Sequence, residues 1–150
     1  MDEPDPFAEL RRHAVIAWDL DDTLIGHPAS PALHAFIRAT PDIRHLIVTF
    51  RSHRVAETIW RDLKGPEREL FFAAETIDDE VAAQYQRLHR QRATGLFAGP
   101  LCAAELVYLL WKGAVCARRG AGVLVDDLTE QVRLGCARHG IVLLHPDAFR

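Results

Sequence analysis

Five short, mainly apolar runs constrain this chain more than anything else in it: AVIAW at 14–18, HLIVTF at 45–50, LFFAA at 70–74, GVLV at 122–125 and IVLL at 141–144. They are apolar on both faces, not alternating, which is the pattern of strands covered on both sides in a parallel sheet. The segments between them read as helices. Ser30 and Pro31 supply a cap and a first-turn proline for a helix over roughly 30–39. Val55, Ile59, Trp60 and Leu63 recur at helical spacing after Ser52, and Gly65-Pro66 ends that segment. Asp78 and Asp79 begin a helical stretch from 77 to 93. Gly99-Pro100 opens another through the Leu106 to Trp111 region, and a last one runs from about 129 to 138. Strands alternating with helices, joined by right-handed crossovers, predict an α/β fold: a doubly wound parallel sheet of about five strands.

A chain of 150 residues has the length of one domain and can bury a sizeable core unaided. Residues 1–6, acidic and proline-containing, read as a flexible N terminus, and 7–150 as a single domain. The net charge of −3 gives no bias strong enough to imply nucleic acid or an anionic membrane as a partner. The basic run Arg87 to Arg92 reads as a solvated helix face. No apolar run approaches the ~20 residues of a membrane span, and the N terminus lacks a secretory pattern, so a cytoplasmic protein is expected. Cys102, Cys116 and Cys136 are far apart and suggest reduced thiols, not a disulfide framework. The histidines show no zinc spacing.

In such sheets ligands bind beyond the carboxyl ends of the strands, and three of those ends carry polar residues at odds with their apolar bodies. The first ends Asp19-Leu20-Asp21-Asp22-Thr23, the second at Thr49, the fourth at Asp126-Asp127. Side-chain alternation projects Asp19 and Asp21 to one side. With Asp126 from a second strand they form a hard, oxygen-only cluster that suits Mg2+. Three acids repel a phosphate ester, so a fixed ammonium is needed. Lys64 and Lys112 are the only lysines; Lys64 sits at a helix end, which leaves Lys112, 14 positions before Asp126. Thr49 adds a neutral donor. Arg51 and Arg54 lie where they could meet substrate, or begin a solvated helix.

VIAWDLDDTL resembles the first signature of the haloacid dehalogenase-like (HAD) superfamily, a strand ending DxDx(T/V). LIVTF is similar to the second, Lys112 to the third, and GVLVDD to the fourth. The resemblance implies a Rossmann-like core and a Mg2+-dependent phosphatase. It makes Asp19 the nucleophile and Asp21 the general acid and base. Thr49 and Lys112 would bind the phosphoryl group, and Asp19, Asp21 (through its carbonyl), Asp126 and Asp127 would serve the metal. Having an acid at 21 disfavours halide displacement, which needs no proton.

Only the 20 residues 26–45 separate the first motif from the second strand, and about 37 lie between the third strand and Lys112, so no sizeable cap domain fits. The partner is then a phosphorylated substrate of unspecified identity, met in an open site or under a lid lent by a neighbour in a homo-oligomer. Two alternatives stay open: a phosphotransferase using the same aspartyl-phosphate, and a non-catalytic phospho-accepting domain. Receiver modules place their lone acceptor Asp on the third strand, where LFFAA has none.

Overall fold

The computed structural model describes residues 4–150. Each apolar run forms a strand: β1 Val15–Trp18, β2 Arg44–Ser52, β3 Phe71–Ile77, β4 Val123–Val125 and β5 Val142–Leu144. All pair in parallel, in the order β3-β2-β1-β4-β5. Six helices surround them: α1 Pro6–Arg11, α2 Ser30–Ala39, α3 Thr58–Asp62, α4 Asp79–Ala93, α5 Ala103–Arg119 and α6 Thr129–His139. This is a doubly wound, Rossmann-like sheet without a cap.

Strand alternation sorts the core into two layers. Ile16, Trp18, Ile47, Val123 and Val125 pack with Leu10, Leu33, Phe36, Ile37 and Ile59, so α1, α2 and α3 cover that face. Val15, Ala17, Leu46, Val48 and Leu124 pack with Val115, Cys116, Val132 and Cys136 of α5 and α6 on the other. A third cluster, Ile77, Tyr85 and Tyr108, ties α4 to α5. His45 is a core residue: Trp18 Nε1–H donates to its Nδ1 at 3.0 Å, so Nε2 carries the proton and turns to Thr40. Burial lowers its pKa.

At several boundaries tertiary contacts override the local pattern. No continuous helix follows Ser52; β2 runs on through it, a 3-10 turn covers His53–Val55, and α3 is only five residues long. The strand persists because Phe50 is drawn into a stack on Tyr108, with ring centroids 4.2 Å apart, and Arg51 into ion pairs. Ser52 therefore makes no cap bond. Ser30 is not a cap either: Ala29 takes that position, and the Ser30 hydroxyl donates to the Thr23 carbonyl at 2.7 Å. The last residues of the acidic N-terminal segment already take part in the first helix. Asp5 accepts Phe7 N–H at 3.0 Å and caps α1, Pro6 is its first residue, and Leu10 is fully buried; residues 1–3 lie outside the described part.

α5 and α6 cross in near backbone contact at Gly113 and Gly135. A Cβ on Gly113 would collide with the Gly135 carbonyl, and one on Gly135 would fall 2.9 Å from the Leu110 oxygen. Only glycine permits this approach, and it sits one residue from Lys112. Among the described residues, no helix is long and apolar enough to cross a membrane.

Candidate active site

The alternation that directs Val15 and Ala17 toward α5 carries on one residue past β1 to Asp19, and the one that directs Leu124 there carries on to Asp126. The two acids meet at the ends of neighbouring strands, and Asp19 N–H completes the ladder by donating to Val125 O at 2.9 Å. Both are buried. Lys112 reaches in between them from α5, with Nζ 2.8 Å from Asp19 Oδ1 and 2.6 Å from Asp126 Oδ2. It is fully enclosed, and its ammonium also lies 4.4 Å from the centre of the Phe50 ring. A lysine within a continuous helix would ordinarily snorkel to water; here the paired carboxylates hold it inside.

The remaining oxygens of these acids are also engaged. Thr23 Oγ1 donates to Asp19 Oδ2 at 3.1 Å, and Leu128 N–H to Asp126 Oδ1 at 2.8 Å. Both acids are thereby fixed in orientation. Asp127 differs, since its Oδ1 is buried without a hydrogen-bond partner. Such a group is costly to leave unmatched. One oxygen each from Asp19, Asp126 and Asp127 lies within 4.8 Å of the others.

Three carboxylates against one ammonium leave the cluster two negative charges in excess. Burial pushes the Asp19 carboxyl up to about 6, against the pull of Lys112. Burial likewise raises Asp126 and Asp127. For Lys112 burial alone would lower the pKa, yet Asp19 and Asp126 outweigh it and raise it, so the ammonium stays charged. The oxygen-only donor set, the orphaned Asp127 atom and the charge deficit all fit a hard divalent cation such as Mg2+.

A cavity of about 240 Å³ opens on this cluster, with Asp19, Asp21, Thr49, Arg51 and Asp127 in its wall. Thr49 is buried and accepts Arg51 N–H at 3.1 Å, which leaves its own hydroxyl proton for an oxygen in the cavity. A larger hollow of about 490 Å³ on the far side of Phe50 contains Arg54, Asp79 and Glu80 but none of the buried acids. Asp78 caps α4 by accepting Glu80 and Val81 N–H, the structural role expected of it. Lys64 is exposed.

The sequence-derived residues Asp19, Thr49, Lys112, Asp126 and Asp127 therefore come together. Asp21 shares the cavity, but its carboxylate stands outside the three-acid cluster. The chain leaves the strand at Asp19, so alternation does not extend to 21. Asp21 is held by Arg51, with Nε to Oδ2 at 2.9 Å and Nη2 to Oδ1 at 2.7 Å. That clamp, the Thr23 hydroxyl and the Phe50 ring escaped sequence reasoning. Thr23 had a visible signal, as the last letter of the DxDxT pattern, and the sequence places Arg51 where it could meet substrate but not against Asp21. Comparison of the chain with known families, curated proteins and solved structures gives no match.

Proposed function

We propose that this protein is a Mg2+-dependent phosphomonoester hydrolase that works through an aspartyl-phosphate on Asp19. The observation that carries this reading is the buried Lys112 ammonium bridging Asp19 and Asp126 beside the unpartnered Asp127 oxygen. A structural ion pair needs two charges. A third acid, left unsatisfied at the wall of a cavity, makes sense when a divalent cation completes the balance. The motif order that resembles the HAD superfamily supports the same reading.

In this scheme an Asp19 oxygen forms a bond to phosphorus as the ester P–O bond breaks, and Asp21 gives its proton to the leaving oxygen. Water then attacks phosphorus and returns a proton to Asp21, releasing phosphate and restoring Asp19. One difficult displacement becomes two easier ones. Asp19, Asp126 and Asp127 would hold Mg2+, together with the Asp21 carbonyl by the resemblance. When bound, the ion supplies charge neutralisation for the phosphoryl oxygens. Lys112 and the Thr49 hydroxyl stabilise the same charge from fixed positions and need no reorganisation.

Hydrolysis of a generic aryl phosphate tests the proposal. Turnover is expected with Mg2+, and its loss with a chelator. Asp19→Asn should lower kcat by at least about a thousandfold. Equal residual rates under all three conditions would mean a contaminant and refute the assignment.

A further inference from the structure

Arg51 is pinned on one edge and lent out on the other. Its Nη1 donates to Thr58 Oγ1 and to Asp62 Oδ2, both at 2.8 Å, which fixes the guanidinium to the α3 layer. The opposite edge, Nε and Nη2, grips both oxygens of Asp21 at the wall of the cavity. The Arg51 side chain is 16% exposed and that of Asp21 52%. The arginine is the fixed partner and the acid the one free to turn. The Asp21 backbone is itself tethered by a bridge to Ile25, so release requires only side-chain rotation.

A carboxyl whose two oxygens are both engaged by a guanidinium fork cannot hand a proton to a leaving oxygen. To act as acid, Asp21 must turn away from Arg51. Arg51 and Arg61 would then share one carboxylate, Asp62. A largely buried guanidinium edge would be left without a counter-charge, which is costly. Two parallel N–H donors in a fork are the shape that accepts a carboxylate or a phosphate bidentately.

We propose that a second anionic group on the substrate takes the place of Asp21 at the Nε/Nη2 edge of Arg51. The substrate class is then a phosphomonoester carrying a further carboxylate or phosphate close to the ester, and its arrival releases Asp21 for proton transfer. The inference rests on the phosphohydrolase reading. Once released from the fork, the Asp21 side chain can reach the leaving oxygen as the P–O bond breaks and then the attacking water, the acid and base duty of the proposed hydrolysis. Only hydrogen bonds and ion pairs are exchanged at Arg51 itself.

Three two-carbon esters test it with Mg2+ present: ethyl phosphate, phosphoglycolate and ethylene glycol bisphosphate. Wild-type kcat/KM should be at least about tenfold higher for one or both esters that carry a second anionic group than for ethyl phosphate. Which of them gains identifies carboxylate or phosphate as the recognised group. In Arg51→Met the advantage should fall below about threefold. Rates within twofold across the three esters in an active wild-type enzyme would overturn the inference and leave the hydrolase assignment standing, as would an advantage that survives in Arg51→Met.

Binding decides the matter independently of turnover and of the fate of the Met variant. Calorimetric titration with phosphoglycolate would use Asp19→Asn protein with and without Asp21→Asn. Removing the competing charge at 21 should tighten binding at least about fivefold. No gain sinks the exchange even if the protein hydrolyses phosphate esters. A gain with no hydrolysis of any ester would instead preserve the anion subsite and refute the catalytic reading.

Discussion

Lys112 is the residue on which the electrostatics of the site turn. With no exposed surface, it separates two buried carboxylates that would otherwise face each other. Lys112→Met keeps the volume and removes the charge. At neutral pH it should cost about 3–5 kcal/mol in urea unfolding, the penalty of stranding a buried ionic partner. The deficit should shrink toward pH 5, where Asp19, already raised to about 6, takes up a proton. A deficit independent of pH would show that packing, not charge, was lost. The acids were legible because they stand at strand ends in a fixed order, and the lysine because the chain has only one other. The clamp on Asp21 was not, because it depends on how β2 overruns Ser52 and on where a five-residue helix happens to lie. Local spacing around Val55 and Ile59 says nothing of either.

Among the elements, α5 carries the functional consequence of packing. The sequence suggested a helix opened by Gly99-Pro100 through the Leu106 to Trp111 region. The structure has one unbroken helix to Arg119, closed by Gly120 at φ 77°. Gly113 would weaken an isolated helix, yet here it admits α6 to near contact and so sets how deep Lys112 reaches. Gly113→Ala should force the helices apart and lower stability by about 1–3 kcal/mol in thermal unfolding. Activity should fall further than the loss of folded protein explains, because Nζ would withdraw from Asp19. Full specific activity in the folded fraction would show that the crossing serves stability alone. No periodicity could have revealed this, since a glycine in a helix announces a weakness but not the neighbour that uses it.

For the whole molecule, the five runs and their alternation with helices sufficed to read the sheet and its parallel sense. The strand order lies in no single run. It arises where the chain, after β3 at one edge, returns through α4 and α5 to the far side of β1. That return is what places Asp126 beside Asp19. The assembled acids also couple stability to pH and to cations. A carboxyl raised in the folded state stabilises at low pH, and that contribution is lost as pH climbs from its unfolded value of 3.8 through about 6. His45 acts oppositely: its lowered pKa makes stability fall as pH drops below its unfolded value of 6.5. The rise in Tm on adding Mg2+ cancels the histidine term, and it should be larger at pH 7.5 than at pH 5, where protons compete with the ion. An equal rise at both pH values would mean that the ion binds elsewhere.

Asp19 and Lys112 stand 93 positions apart in the chain, and Asp126 comes later still. During synthesis the first acid therefore emerges long before the ammonium that neutralises it. No early fragment can bring the three acids and the ammonium together. The three-acid cluster is assembled in one step, when β4 slots in beside β1.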